Sequence, residues 1–299
     1  QGYPLEALKA QAVAARTDVI SKIGNRHLNE PYDICAGVHC QVYSGLTRTA
    51  QSTDRAVEDT EMEILTCEGK VCRTAYSSVC GGHTEDIENV WNLEPREYLQ
   101  GIFDAPDRRL NIRFNLTREQ DVKRWIDQAP AVFCNVEAHG SPAVLNGARK
   151  YFRWQETYNR QTLENIIREK TGINIGSFFG IEVLERGESG RIIELEILGS
   201  RRNHRIRGEL NIRRALSEST LKSSCFYVTT TCDRDGVPCE ITFHGAGWGH
   251  GVGMCQVGAA TMALKGYNYR QILNHYYQGT ELIRLELVPE AECEEALVK

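Results

Sequence analysis

Residues 244–256 read HGAGWGHGVGMCQ, with glycine at 245, 247, 249, 251 and 253. An extended chain turns alternate residues to opposite sides. The spacing therefore predicts one face of bare backbone and one carrying Ala246, Trp248, His250, Val252 and Met254. The bare face admits close approach of another element or a ligand. The furnished face sets an indole beside an imidazole, a stacking plate with a hydrogen-bonding group, which suits a sugar. The competing reading is tight packing with Trp248 in the core. A phosphate loop is a poor match, because its G-x-G-x-x-G turn between strand and helix has a different spacing.

Three other stretches carry chemistry. CAGVHCQVY (35–43) offers Cys35, His39 and Cys40, soft ligands that suit zinc. His39 and Cys40 are adjacent, so they reach one ion only from irregular backbone; His27, His83 or water would supply a fourth ligand. A disulfide or free thiols is the alternative. SSVCGGHTE (77–85) sets Cys80 near His83, and a Cys-His nucleophile pair is conceivable there, although one residue of each type in sequence fixes no geometry. Glu6 lies at the start of a helix. With Pro4 at the first helical position it is the third, where glutamate stabilises the terminus through the dipole. Burial between alanine-lined helices would instead raise its pKa and prepare a general acid. Both readings stand.

The elements that must position these residues follow from periodicity. PLEALKAQAVAARTDVISKI (4–23) predicts a helix, with Pro4 suited to its start, small residues nearly all round and Gly24 to end it. Strands with a hairpin are expected over 56–78, and helices near 117–127 and 161–170. GIEVLERGESGRIIELEILG alternates in twos about a Gly-Glu-Ser-Gly turn, a second hairpin. A short helix at 208–217 and a strand at SSCFYVTTT follow. Two last helices cover 254–265 and 269–277, the second capped by Asn268. No βαβ rhythm appears, so the fold class expected is α+β, with antiparallel sheets and hairpins packed on the N-terminal Ala-rich helix and the two C-terminal helices.

The chain has 299 residues, a formal charge of −5 and a pI near 6.0, which excludes a global basic field for nucleic acid. No apolar run approaches the roughly 20 residues of a membrane span. The chain starts at Gln1 with a helix almost at once, as a trimmed part of a longer product would. Of its eleven cysteines, Cys67 and Cys72 sit symmetrically about Gly69-Lys70, and Cys232 and Cys239 about Asp235-Gly236. Both pairs are expected to face across hairpins as disulfides, which would imply an oxidising compartment.

Taken together, these stretches resemble the SpoIID/LytB family of bacterial cell-wall proteins. The matching segments are PLEALKAQAVAART (4–17), YDICAGVHCQVYSG (32–45), AYSSVCGGHTE (75–85) with VW at 90–91, FRW (152–154), LKSSCFYV (221–228) and GAGWGHGVGMCQVGAATMALKGYNYRQILNHYYQGTEL (245–282). They occur in family order along nearly the whole chain. The resemblance implies a lytic transglycosylase that cleaves the MurNAc–GlcNAc bond of peptide-stripped peptidoglycan, with Glu6 as catalytic acid. It also implies structural zinc on Cys35, His39 and Cys40, and a glycan groove for which Trp248, His250, Gln256, Gln41 and Tyr43 are candidates. Some members are amidase enhancers, so the alternative is a glycan-binding module that stimulates a cell-wall amidase. The resemblance implies an extracytoplasmic envelope location, secreted or anchored through a segment outside this chain. Cys255 stands where serine is common in the family. Residues 1–100 and 221–299 are expected to form the SpoIID-like catalytic domain, with 101–220 as an accessory insertion.

Overall fold

The computed structural model of the chain describes residues 2–37, 40–45, 49–106, 109, 113–234 and 236–286. His39, singled out above, lies outside them, as does Cys293.

The alanine run builds α1 (Leu5–Lys22), and Gly24 follows it at φ +67° in the left-handed region that stops a helix. Ala7, Ala10, Val13 and Ala14 are buried. Side chains this small let other elements approach closely. Next comes α2 (Gln51–Glu58), which buries Ala56 and packs on α1. The Arg16 guanidinium of α1 donates to the carbonyls of Thr60 and Glu63, both at 2.8 Å, and so fixes the chain's entry into β1 (Glu63–Cys67).

β1 pairs with β2 (Lys70–Val71) across a turn at Glu68-Gly69, with φ of +52° and +73°. Two successive positive φ angles mark a type I′ turn. The turn is thus centred one residue earlier than the expected Gly69-Lys70. Cys67 faces Lys70, the Cys72 N–H donates to Leu65 O, and both cysteines are free thiols. A one-residue slip turns side chains to the other face, so the expected 67–72 disulfide is corrected to two unbonded cysteines.

Along the chain follow β3 (Tyr76–Ser77), α3 (Ile87–Val90), α4 (Glu119–Gln128), α5 (Arg149–Phe152), β4 (Arg153–Asn159), α6 (Arg160–Thr171), β5 (Phe178–Arg186), β6 (Ile192–Gly199), β7 (His204–Arg207), α7 (Glu209–Ala215), β8 (Phe226–Cys232) and β9 (Pro238–Ala246). The last elements are β10 (Met254–Cys255), α8 (Gln256–Leu264), α9 (Tyr269–Tyr276) and β11 (Glu281–Arg284). The class is α+β. Antiparallel sheets run in the orders β11-β1-β2, β4-β9-β8 and β5-β6-β7, while β3 and β10 form a short parallel pair. The expected β5–β6 hairpin is present, and Asn268 caps α9 by accepting from the Gln271 N–H at 3.0 Å.

In the β8–β9 hairpin the register shifts at Thr231/Cys232, so Cys232 pairs with Pro238 and Cys239 is the extra residue of a bulge. Both cysteines are exposed and free. The expected 232–239 disulfide is therefore also corrected, and with both pairs open the inference of an oxidising compartment loses its support.

Two hydrophobic cores result. One gathers α1, α4, α8, α9 and the loops between β3 and α5; the other gathers β4 to β9 with α6 and α7. Among the described residues no helix is long and apolar enough to cross a membrane.

Candidate functional site

The glycine-rich segment crosses between the two cores, and its geometry differs from the pleated strand expected. Gly247, Gly249, Gly251 and Gly253 have φ of +82°, +102°, +84° and +68°. The i, i+2 spacing thus records alternate residues in left-handed backbone, where glycine alone is at ease. Close approach was rightly anticipated. A Cβ on Gly245 would stand 2.1 Å from the Trp154 indole, and one on Gly251 would stand 2.4 Å from the Arg191 guanidinium.

The furnished positions separate. Trp248 is 40% exposed and stacks on Tyr151 with ring centroids 4.1 Å apart. The reading with Trp248 in the core is therefore set aside. His250 turns inward against Trp91, centroids 4.7 Å apart, and its Nδ1 accepts from the Val252 N–H at 3.0 Å. Burial, aided by the Arg191 charge, pushes its pKa down to about 3, so the ring is neutral at ordinary pH. Trp91 in turn lies under the Arg73 guanidinium at 5.5 Å.

Around the β3–β10 pair several polar groups converge. Gln256 donates to Gln11 of α1 at 3.0 Å, and Gln41 donates to Ala15 O at 3.4 Å. Gln41 also hydrogen-bonds the Tyr76 side chain, whose pKa burial pushes up to about 12. His250 meets the Tyr76 backbone. Gln41, His250 and Gln256 therefore gather about one ribbon, joined by Gln11, Tyr76 and Trp91, which sequence reasoning did not select. Tyr43 is 62% exposed, and among the described residues no hydrogen bond or ring contact joins its side chain to that cluster.

Glu6 has a different setting. Pro4 is the N-cap, so Glu6 is the second helical residue and not the third. Its side chain is 33% exposed; Oε1 lies 3.3 Å from Lys9 Nζ, and Oε2 accepts from the Tyr269 N–H at the start of α9, at 2.8 Å. Lys9 also pairs with Asp59 at 3.0 Å, and this contact holds the Asp59 carboxyl below its ordinary pKa. Glu6 and Gln11 are five residues apart, about 140° around a helix at roughly 100° per residue. Among the described residues, no hydrogen bond, ion pair or ring contact joins Glu6 to Trp248, His250, Gln41 or Gln256.

Of the expected metal ligands, His27, Cys35 and Cys40 have ligand atoms that all lie within 4.8 Å of one another, with His27 Nε2 at 3.2 Å from Cys40 Sγ. These separations fit one tetrahedral ion. The Lys22 ammonium, donating to Cys40 O at 2.7 Å, ties this loop to the last turn of α1. His83 does not join them. It is 6% exposed, with Nδ1 at 2.6 Å from Thr84 O, and burial pushes its pKa down to about 4. Nor does it pair with Cys80, whose Sγ faces Asp104 Oδ2 at 3.2 Å and Cys134 Sγ at 3.6 Å. The conceived Cys80–His83 nucleophile pair is not formed.

Residues 1–67 match the family model described as Stage II sporulation protein, and residues 85–253 match one described as Domain of unknown function (DUF8618). The chain is 29% identical over 289 residues to the amidase enhancer of Bacillus subtilis, covering 94% of this chain and 38% of that one. It is 23% identical over 293 residues to the stage II sporulation protein D of Bacillus amyloliquefaciens, covering 93% and 68%. The chain belongs to the SpoIID/LytB family. Another relative, an uncharacterized protein of Brachyspira hyodysenteriae, is 30% identical over 281 residues, 94% of this chain and 62% of that one. This SpoIID/LytB chain thus spans less than two thirds of the Brachyspira and Bacillus subtilis relatives. Its Stage II sporulation protein match holds α1, α2 and β1, including Glu6, Gln11 and the 27–40 loop.

Proposed function

We propose that the chain is a peptidoglycan lytic transglycosylase of the cell envelope, with Glu6 as its general acid and base. What supports the reading is the setting of Glu6. Its carboxyl stands at the partly exposed start of a helix whose Ala7, Ala10, Val13 and Ala14 are buried, and Tyr269 holds one oxygen in place. Among the described residues the other oxygen meets only Lys9, which is 3.0 Å from Asp59 and can shift wholly onto it. Oε1 is then the atom that carries the proton.

Glu6, protonated, gives that proton to the glycosidic oxygen as an oxocarbenium-like centre develops on MurNAc. As carboxylate it takes the proton of the sugar's C6 hydroxyl while O6 closes on C1. The bond to the leaving sugar is broken, a 1,6-anhydro ring is formed and no water is consumed. Gln41, His250 and Gln256 bind further along the glycan, with the Tyr151–Trp248 stack as an aromatic platform. Zinc, when held by His27, Cys35 and Cys40 with His39 as a further candidate, supplies a structural clamp for the loop that carries Gln41.

A second reading, a glycan-binding enhancer of a partner amidase, is favoured by one observation: among the described residues no hydrogen bond, ion pair or ring contact joins Glu6 to Gln41, His250 or Gln256. The name of the Bacillus subtilis relative agrees with it. One experiment separates the two. Peptide-free glycan strands are incubated with wild type and Glu6→Gln, and products are read by mass spectrometry. Fragments one water lighter than hydrolytic products, formed by wild type alone, are expected. Hydrolytic products would move the chemistry to a two-carboxylate mechanism. Glycan binding without cleavage, together with faster turnover of an added amidase, would establish the enhancer.

A further inference from the structure

We propose that Cys80, Asp104, Cys134 and Cys255 form a second metal site, a closed four-ligand zinc centre in the first core. The four come from separate segments: the loop after β3, the 101–106 turn, the loop after α4, and the residue that caps α8. Their ligand atoms all lie within 4.8 Å of one another, and none of the four residues is more than 2% exposed. A tetrahedral zinc with Zn–S of about 2.3 Å and Zn–O of about 2.0 Å sets neighbouring sulfurs about 3.8 Å apart, and sulfur about 3.5 Å from oxygen. Cys80 Sγ lies 3.6 Å from Cys134 Sγ and 3.2 Å from Asp104 Oδ2. A Cys80–Cys134 disulfide would require about 2.05 Å.

The surroundings are those of thiolate ligands. The Cys80 N–H donates to Cys255 Sγ at 3.2 Å, the Gly258 N–H to the same sulfur at 3.4 Å, and the Gly82 N–H to Cys80 Sγ at 3.3 Å. Asp104 is oriented so that one oxygen turns toward the cysteines. Its Oδ1 accepts from the Tyr276 hydroxyl at 2.7 Å and lies 3.3 Å from His275 Nε2, while Oδ2 faces Cys80. Such outer partners fix a ligand's direction. The Asp104 backbone is held on both sides, its N–H donating to Gly82 O at 2.9 Å and its carbonyl accepting from Phe133 N–H at 2.7 Å. Gly258 completes the fit: a Cβ there would stand 2.2 Å from Tyr276 Oη and 2.4 Å from Asp104 Oδ2.

Three thiolates, one carboxylate and Zn²⁺ sum to a charge of −2. One buried and one half-buried cation stand against it, Arg191 donating to Cys80 O at 3.1 Å and Arg153 donating to Gly81 O at 3.1 Å. The thiolate-rich set with one hard oxygen selects zinc. With all four positions taken by protein, the centre is structural. It ties together segments that, among the described residues, no disulfide joins.

The test uses the whole chain carrying Cys35→Ser and Cys40→Ser, which removes the loop site. Elemental analysis after dialysis against a chelator is expected to find one zinc per chain, falling to none when Cys134→Ser is added. If that last variant does not fold, X-ray absorption at the zinc edge of the Cys35→Ser/Cys40→Ser protein decides, with three sulfurs and one oxygen expected around the metal. Absence of metal, iron in place of zinc, zinc content indifferent to Cys134→Ser, a shell without sulfur, or a Cys80–Cys134 disulfide in a non-reducing peptide map would each overturn the proposal.

Discussion

Replacing Glu85 with alanine is expected to cost about 4 kcal/mol of folding stability, the range for breaking a buried charged network. Its carboxylate is fully buried and accepts five hydrogen bonds. Oε1 accepts from the Asp86 N–H at 2.9 Å, Asn89 Nδ2 at 2.9 Å and the Glu188 N–H at 3.1 Å. Oε2 accepts from the Ser189 hydroxyl at 2.6 Å and the Ser189 N–H at 3.2 Å. Three of these donors lie in the β5–β6 turn, so one side chain from the first core fastens the hairpin of the second. A Cβ on Gly187 would meet the same carboxylate at 2.4 Å, which shows how tightly the turn wraps it. Burial pushes the Glu85 carboxyl up, while the Ser189, Asn89 and Asp86 donors pull it back. Glu85→Ala strands all five donors. Glu85→Gln keeps one acceptor oxygen but turns an NH₂ toward the rest, and about half the loss is expected. Urea unfolding followed by tryptophan fluorescence measures the stability, and hydrogen exchange at Glu188 and Ser189 reads the tether itself. A loss under about 1 kcal/mol, within the range of an ordinary surface change, or unchanged protection at both amides, would refute the reasoning.

Two further outcomes follow from the same structure. His83 is held neutral by burial, its folded pKa near 4 against an ordinary 6.5. Between those values the unfolded chain binds a proton that the folded chain does not, so stability falls as pH falls, by about 1.4 kcal/mol per pH unit and about 3 kcal/mol in all. His83→Asn, which keeps a donor for Thr84 O, is expected to flatten urea midpoints measured from pH 7 to 4; an unchanged slope would assign it elsewhere. Gly253→Ala would bring a Cβ to 2.1 Å from Ala75 O at φ +68°, whereas Gly266→Ala at φ +89° meets nothing within 4 Å. The second should cost about 1 kcal/mol for backbone strain alone, the first about 3 kcal/mol or more, and equal losses by calorimetry would remove the close-approach argument.

What was legible in the sequence was local. The alanine spacing of α1, the Gly-Glu-Ser-Gly hairpin and the Asn268 cap each rest on neighbours within a few residues, and each stands as expected. Misreadings arose where two local patterns coincide. Symmetry of Cys67 and Cys72 about Gly69-Lys70 suggested a register, yet the turn recruits Glu68 into left-handed backbone and moves the register by one. Alternating glycines look the same whether a strand is pleated or every second residue has positive φ. Glu85 was invisible because its tether spans 103 residues to Glu188. The cysteine–aspartate cluster was invisible for the same reason: Cys80 meets Cys134 across 54 residues and Cys255 across 175. Metal-ligand spacing is readable only when ligands share a loop, as in 35–40.

These long-range links meet in one stretch of chain. Residues 245–256 cross the Trp154 indole, the Val79 backbone, the Arg191 guanidinium and Ala75 in succession, and glycine stands at each crossing because a side chain would collide. The same stretch delivers Trp248 to the surface beside Tyr151, turns His250 inward against Trp91, and passes through Cys255 immediately before Gln256. A ligand that fixes Cys255 to Cys80, Asp104 and Cys134 therefore fixes the end from which Gln256 reaches Gln11, and it anchors the helix α8 that packs on α1. Glu6 lies on that same helix α1, held at Oε2 by the first N–H of α9, the helix whose Tyr276 and His275 hold Asp104. The proposed metal centre and the proposed acid thus share α9 as a common strut. Loss of the metal should loosen Tyr269 against Glu6 before it unfolds the chain.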